Sequence, residues 1–471
     1  MKKIKAALIN PPDENRIYTE VPSKVNIKSG ILPPMGLLYV ESYLNRHSNH
    51  EVILLDCPAD EIDYPALRQR LAGFSPDVIG ITGHTHNIAD MLKTSELFKS
   101  INPEGKVVWG GAHASAFSEK SADFNTVDYV VYGEGEVTFK LLLDRIADSA
   151  DPSDIKGLIY KQNGKPVKNP PADYIMNLDE LPHPRREILD IKKYFYTVGS
   201  GQTASSFVSS RGCPYHCTFC STPGKTFRCR SAKDVADEME ACKNQGIKEL
   251  YFVDDTFNVD QKRVIEICRE IINRKIDIQW NYRGRINLIT QEQLELVEKA
   301  GCTRIQLGVE TGTDEGMKIL KKGIKTDQVR QVFKWLKKTK ISSAAYFMIG
   351  CPHEKTKEDI LKTIEFATEI DPDYVLFGIL TPYPDTEIYE DGVKKGIVDP
   401  KIWDDFVTNP SKKFKPQVWT EFLTQEELEE MLDVAYKKFY GRPGYMFKRL
   451  LEIRSPGELW NKVKAGLNIL K

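Results

Sequence analysis

The chain runs to 471 residues, enough for two or three domains. Its 41% hydrophobic and 28% charged residues are those of an ordinary soluble globular protein. Basic side chains number 66 and acidic ones 67, so a net charge of −1 gives no bulk attraction to nucleic acid or to an anionic membrane surface.

Within residues 1–150 short apolar segments alternate with helical ones. Lys5–Ile9, Val52–Asp56, Val78–Thr82, Val107–Gly110 and Tyr129–Tyr132 are mostly Val, Ile or Leu, as strands buried on both faces of a parallel sheet must be. Leu37–Arg46 and Ile88–Ser100 read as helices between them. This βαβα rhythm predicts an α/β fold, a Rossmann-like, doubly wound parallel sheet. The basic N-terminus has too short an apolar run for a signal peptide, and no stretch reaches the roughly 18 apolar residues of a transmembrane segment. The expected location is cytoplasmic.

Residues 151–200 break the rhythm with prolines 152, 166, 170, 171, 182 and 184 and are expected to be a packed linker. Leu158–Lys161 and Lys165–Val167, joined through Asn163 and Gly164, suit a small hairpin. Residues 201–410 begin a second series. Its strands are expected at Ser206–Ser209, Glu249–Val253, Ile278–Tyr282, Arg304–Val309, Ala344–Ile349 and Tyr374–Leu380, with amphipathic helices between. Six βα units predict a partial (β/α)6 TIM-type barrel, whose chemistry sits at the C-terminal strand ends. Thr290 to Gln293 forms a capping-box pattern for a helix stopping at Gly301, and Thr424 to Glu427 opens another. Residues 411–471 are expected to be a helical segment. Its basic tail (Arg442, Lys448, Arg449, Arg454, Lys462, Lys464, Lys471) and Trp460 suit a helix covering the barrel better than one lying on a membrane.

Nine cysteines are present, and three of them stand within eight residues at Cys213, Cys217 and Cys220. The other six (Cys57, Cys229, Cys242, Cys268, Cys302, Cys351) are scattered, which is no secreted disulfide framework. Three thiolates at C-x3-C-x2-C spacing hold three corners of a four-iron–four-sulfur cube and leave the fourth iron open. A zinc knot wants a fourth ligand, commonly in paired sets, and no second pair lies nearby. His216 is an unlikely fourth ligand at this spacing. Phe219 precedes the last cysteine. Further along, Asp254 and Asp255 end the second barrel strand, Arg283 and Arg285 follow the third, Gly308-Val-Glu310-Thr-Gly312 ends the fourth, and Gly350-Cys-Pro-His-Glu354 ends the fifth.

Together these segments resemble the radical S-adenosylmethionine (SAM) superfamily. The resemblance implies that SAM binds the open iron through its methionine amine and carboxylate, and that one electron cleaves it to a 5′-deoxyadenosyl radical. It implies Cys213, Cys217 and Cys220 as cluster ligands and catalytic residues, with Phe219, Asp254, Asp255, Arg285, Gly308, Glu310 and Gly350 around SAM. A carboxylate at a strand end accepts hydrogen bonds from the SAM amine or ribose; a helix cap is the structural alternative for one of the pair. An arginine after the third strand grips a carboxylate or makes a structural ion pair. Tyr383-Pro-Asp385-Thr386 resembles the family's P-G-T turn, with Asp385 in place of glycine. Cys302 and Cys351 are expected to be small buried hydrophobes.

The N-terminal segments narrow the resemblance to the cobalamin-binding subfamily. The matching loops contain Asn10 and Pro11 after the first strand, Thr82 and Gly83 after the third, Gly110, Gly111 and His113 after the fourth, and Gly133, Glu134 and Gly135 after the fifth. Asp-x-His-x-x-Gly is absent, and no nitrogen ligand to cobalt from His84, His86 or His113 is implied. No Gly-x-Gly-x-x-Gly opens a helix after the first strand, which weighs against a nicotinamide. The tail segment from Phe439 to Tyr445 is similar to the group containing the anaerobic magnesium-protoporphyrin ester cyclase and the hopanoid methylases.

The resemblance implies a cobalamin-dependent radical SAM methyltransferase acting on an unactivated carbon of a small molecule, supplied with electrons by a reductant such as flavodoxin or ferredoxin. Oxidative cyclisation or ring rearrangement with the same cofactors is the first alternative. A non-catalytic iron–sulfur or cobalamin-binding protein is the second. A methylthiotransferase acting on RNA fits poorly, since residues 1–150 hold only Cys57 and no basic RNA-binding module follows.

Overall fold

A computed structural model describes residues 2–17, 30–196, 201–221, 225–411 and 413–451. The first sheet has seven strands: β1 (Lys5–Asn10), β2 (Glu51–Asp56), β3 (Val78–Thr82), β4 (Lys106–Gly110), β5 (Tyr129–Val131), β6 (Leu158–Gln162) and β7 (Lys165–Lys168). Their order is β2-β1-β3-β4-β5-β6-β7. The first five are parallel, and the order reverses beside β1, between β1 and β3. A doubly wound sheet opens a crevice at the C-terminal strand ends where its order reverses. Apolar cores lie on its two faces, one around Ile79, Ile81 and Trp109, the other around Leu8, Val108 and Phe139.

The hairpin of β6 and β7 is part of this sheet. β6 pairs antiparallel with β5, Val130 facing Ile159. A stretch read from its prolines as linker therefore widens the sheet by two strands. Helix Pro400–Thr408 also joins this half of the molecule: Trp403, Phe406 and Val407 are buried in the Trp109 core, after the chain has finished the barrel.

The second sheet is a row of six parallel strands in chain order: β8 (Ala204–Phe207), β9 (Glu249–Phe252), β10 (Gln279–Gly284), β11 (Cys302–Glu310), β12 (Ser342–Ile349) and β13 (Tyr374–Ile379). Residues such as Phe252, Tyr282, Leu307, Phe347 and Phe377 point outward into one large core beneath the helices. The alternate positions face the lumen, because side chains change face at every residue. Thr290 caps its helix by accepting from Gln293 N (3.2 Å), but the Gln293 side chain returns no bond, so the expected box is half formed. The Thr424–Glu427 box closes in both directions.

A partial barrel leaves strand edges that must be covered. The edge of β13 is met by helix Gln425–Tyr440. Tyr436 OH donates to Phe377 O (2.9 Å) and accepts from Phe377 N (3.2 Å); Tyr440 OH does the same at Val375 (2.7 and 3.0 Å). Two hydroxyls one helical turn apart thus stand in for a missing strand. Arg442 and Lys448 pair with Asp371 and Asp373 on the same side. The basic residues expected beyond Leu451, and Trp460, lie outside the described residues. No helix among the described residues is long and apolar enough to cross a membrane.

Candidate active site

The cysteine loop leaves the barrel just past β8. A short antiparallel neck, Ser210–Arg211 against Arg228–Cys229, closes it off. Gly212 sits in this neck at φ +82°, where a Cβ would strike the Thr226 backbone, so no other residue fits. None of the three loop cysteines is in a disulfide; Cys217 is buried and Cys213 and Cys220 are half-buried. Cys213 Sγ lies 3.4 Å from Thr256 Oγ1, and Cys217 Sγ accepts from Arg285 Nη1 at 3.7 Å. The Arg285 guanidinium stacks on Tyr215 at 3.7 Å and donates to Lys322 O. A buried cation thus backs Cys217. Among the described residues no three His, Cys, Asp or Glu side chains converge on a single-ion site. A cube needs no such convergence, because each thiolate binds a different iron.

The two carboxylates after β9 divide the work. Asp254 is buried and accepts from Ser209 N (2.7 Å), Ser209 Oγ (2.6 Å) and Ser210 Oγ (2.6 Å). It holds the approach to the cysteine loop. Asp255 accepts from Gly212 N (3.2 Å) and otherwise opens into a cavity; its protein surroundings and the Asp254 charge raise its pKa. Glu310 ends β11 at φ +73°, where the register with β12 shifts. Its carboxylate pairs with Lys322 Nζ at 2.7 Å, both side chains nearly buried. The pair lies across Gly308, where a Cβ would collide with it. Phe219 packs beside Lys322, whose Nζ is 5.9 Å from the ring. Lys322 had no motif to announce it: the residue follows a short helix and reaches the strand end only in the fold.

Gly350 turns at φ +73° against Leu428, and buried Glu354 accepts from Cys351 N (3.0 Å) and Thr363 Oγ1 (2.7 Å). Cys302 and Cys351 are buried, and burial drives both thiols well above their ordinary pKa, so they are inert packing. Asp385 takes up the glycine's task at φ +65°, a region a short polar side chain tolerates, and Thr386 caps the next helix.

A cavity of about 400 Å³ separates the two sheets. Its floor is the C-terminal edge of the first sheet: Thr82, Gly110, Gly111, Gly133, Glu134 and Gly135. Its opposite wall is Val208, Ser210, Arg211, Val253 and Asp255, at the root of the cysteine loop. A Cβ at Gly133 would meet nothing within 4 Å, and one at Gly110 only Val131 O at 3.8 Å. The floor is therefore open for a flat ligand to lie against bare backbone. Glu134 is tied into the wall: it pairs with Arg211 (3.1 Å) and Arg228 (2.7 Å), while Glu136 pairs with Arg211 at 2.5 Å. Burial works against the Glu134 charge, but the arginines and the Ile175 amide outweigh it and hold its pKa low. These ion pairs clamp the two halves beside the cavity.

The remaining expected positions lie elsewhere. Asn10 donates to Asp56 (2.7 Å) behind the sheet edge, and Pro11 follows it; neither lines the cavity. Gly83 is packed against Met91. His113 is fully buried, 3.2 Å from Thr85 Oγ1, and burial pushes its pKa down to about 3.

Comparison with known families gives two matches. The radical SAM superfamily model covers residues 207–367, and the B12 binding domain model covers residues 28–143. An uncharacterized methyltransferase of Pyrococcus horikoshii is 33% identical, the alignment covering 96% of each chain. The chain belongs to the cobalamin-binding radical SAM family. The anaerobic magnesium-protoporphyrin IX monomethyl ester cyclase of Rubrivivax gelatinosus is 26% identical over 89% of this chain and 75% of that one. Among solved structures, the cobalamin-dependent SAM radical enzyme OxsB has the same fold, with a TM-score of 0.75 at 17% identity, covering 99% of this chain and 72% of the other.

The protein is thus a radical SAM enzyme, and its cofactors are a [4Fe-4S] cluster, SAM and cobalamin. The residues present fit them. Three cysteine thiols on one loop, with Arg285 donating to Cys217, suit an anionic cluster. The bare glycine floor suits a corrin, and Asp255 touches both the cavity and the cysteine loop.

Proposed function

We propose that this protein is a cobalamin-dependent methyltransferase acting on an unactivated carbon of a small molecule held in the barrel lumen. The observation that carries the proposal is the cavity: it opens between the glycine floor of the cobalamin domain and the root of the cysteine loop. With cobalamin on that floor, a methyl donor would stand beside a site of radical generation. The Pyrococcus relative, named as a methyltransferase, supports methyl transfer over cyclisation.

Cys213, Cys217 and Cys220 would hold the cluster, and the cavity floor from Thr82 to Gly135 would hold cobalamin. When bound, the cluster supplies the electron that cleaves SAM, and cobalamin carries the methyl group. The chain's own part is placement. Asp255 and Glu310 offer acceptors to the SAM amine and ribose, and Lys322 fixes the Glu310 carboxylate. Asp254 anchors the loop's approach, and Arg285 offsets charge at Cys217. Glu134 and Glu136 with Arg211 and Arg228 keep the two halves in register. A low-potential reductant of the flavodoxin or ferredoxin type would feed the cluster.

The test is an anaerobic incubation of the holoenzyme with reductant, SAM labelled in its methyl group, and extracts fractionated for small molecules. A product heavier by one labelled methylene supports methyl transfer. An oxidised or isomeric product without label replaces it with the cyclisation reading. SAM turnover absent under strongly reducing conditions overturns catalysis altogether.

A further inference from the structure

The barrel lumen is neither filled nor balanced in charge. A closed TIM-type barrel packs its interior with layers of branched apolar side chains. Here the lumen-facing positions are Tyr251 on β9, Arg283 on β10, Arg304 and Gln306 on β11, and Tyr346 on β12. Space remains among them. Leu376, on the lumen face of β13 beside Tyr346, is 40% exposed, and a Cβ at Gly378 would meet nothing within 4 Å.

The polar groups leave positive charge uncompensated. Arg283 Nε donates to Tyr251 OH (3.0 Å), which donates to Gln306 Oε1 (3.0 Å), and Tyr346 OH donates to that same oxygen. The Arg304 guanidinium lies over the Tyr374 ring at 4.9 Å, and its Nε and Nη1 are buried with no hydrogen-bond partner. Neither arginine makes an ion pair among the described residues. Glu249, the acid on this face of β9, is occupied by Asn281 Nδ2 at 3.1 Å. Buried guanidinium N–H groups left bare pay their full desolvation, and a planar two-oxygen anion is their natural complement.

The strand register places these cations relative to the chemistry. Arg285, at the top of β10, reaches Cys217. Arg283 is two residues below it, and Arg304 faces Asn281, two residues lower again. Each step along a strand is about 6.6 Å for two residues. An anion held at this depth leaves one small-molecule length between itself and the cysteine loop.

Resting on the lumen as the substrate chamber, we infer that the substrate carries a carboxylate or phosphate gripped by Arg283 and Arg304, its body rising past Tyr251 and Tyr346 toward the cluster. Tyr196, stacked on Tyr251 with ring centroids 5.0 Å apart, extends the aromatic wall and favours a flat, unsaturated body.

The test measures binding and needs no turnover. Anaerobic holoenzyme is titrated calorimetrically with benzoate, phenyl phosphate and the neutral isostere benzamide. At least one anion is expected to bind about tenfold or more tighter than benzamide, and Arg304→Gln or Arg283→Gln is expected to remove that advantage. Benzoate alone binding assigns a carboxylate, and phenyl phosphate alone a phosphate. Iron and corrinoid content, unchanged in the variants, separates loss of the anion grip from misfolding. Benzamide binding as well as the anions, or no probe binding to the wild-type protein, overturns the inference without any variant. Variants that keep the anion preference overturn it too. Failure of methyl transfer with anion binding intact counts against the methyltransferase reading and leaves the anion site standing.

Discussion

Glu354 should make the protein less stable as pH rises toward neutrality. The residue is 2% exposed at the turn after β12, where its carboxyl ties Cys351 N to Thr363 Oγ1. Burial raises its pKa from an ordinary 4.5 to about 7. Below 4.5 the group is protonated in both the folded and the unfolded chain and costs nothing. Between 4.5 and about 7 the unfolded chain gives up this proton while the folded one keeps it. Stability is therefore lost as pH rises through that window, by about 3 kcal/mol at 1.36 kcal/mol for each pH unit. Glu354→Gln keeps an acceptor for Cys351 N and a polar partner for Thr363 but has no proton to lose. Urea unfolding at about pH 5 and pH 7.5 on the cofactor-free chain should show the wild type losing about 2–3 kcal/mol relative to the variant across that span. Parallel pH profiles for the two proteins would refute the reasoning, since they would mean the carboxyl is either solvated or ionised at no cost. Glu354→Ala should be worse than Glu354→Gln at either pH, because it leaves the buried Cys351 amide bare, at about 1–3 kcal/mol.

Three further perturbations address the site directly. Lys322→Met leaves the nearly buried Glu310 carboxylate unpaired, which costs about 3–5 kcal/mol, and Glu310→Gln added to it should restore most of the loss. Thermal unfolding of both variants checks this, and a double variant no more stable than the single one contradicts it. Gly133→Val puts a branched side chain at φ +81° and into the cavity, at about 1–3 kcal/mol of backbone strain. Corrinoid retained on purification should fall about tenfold while iron content holds, and unchanged corrinoid would move the cobalamin site away from this floor. Replacing Cys213, Cys217 or Cys220 singly by alanine should remove most of the iron and all SAM cleavage; cleavage that survives iron loss would exclude the loop as the cluster site.

Much of the architecture was legible because it rests on local patterns. Runs of Val, Ile and Leu have the right length for strands buried on both faces, and every expected strand core lies within an observed strand or overlaps one. The cysteine spacing is equally local, since three ligands on one loop need no partner from elsewhere. The hairpin at residues 158–168 was legible as a hairpin, but not as the outer part of the first sheet. That placement depends on Val130 meeting Ile159, a contact between segments with no common pattern. Trp403 was invisible for the same reason: an amphipathic helix shows an apolar face, not which of two cores will receive it.

The active-site chemistry divides along the same line. Composition and spacing say which atoms are available: three cysteines at cube spacing, paired carboxylates and arginines at strand ends, glycines where a large flat ligand needs clearance. The fold assigns each of them its partners. Asp254 and Asp255 are neighbours in sequence, yet one is spent on three hydrogen bonds inside the loop and the other opens into the cavity. Arg285 backs a cysteine while Arg283, two residues earlier, joins Arg304 in the lumen, where neither has an ion-pair partner among the described residues. Lys322 becomes the partner of Glu310 through a buried ion pair that no spacing rule announces. The physical reason is that periodicity fixes which face a side chain takes, whereas desolvation and pairing depend on what the rest of the fold brings to that face.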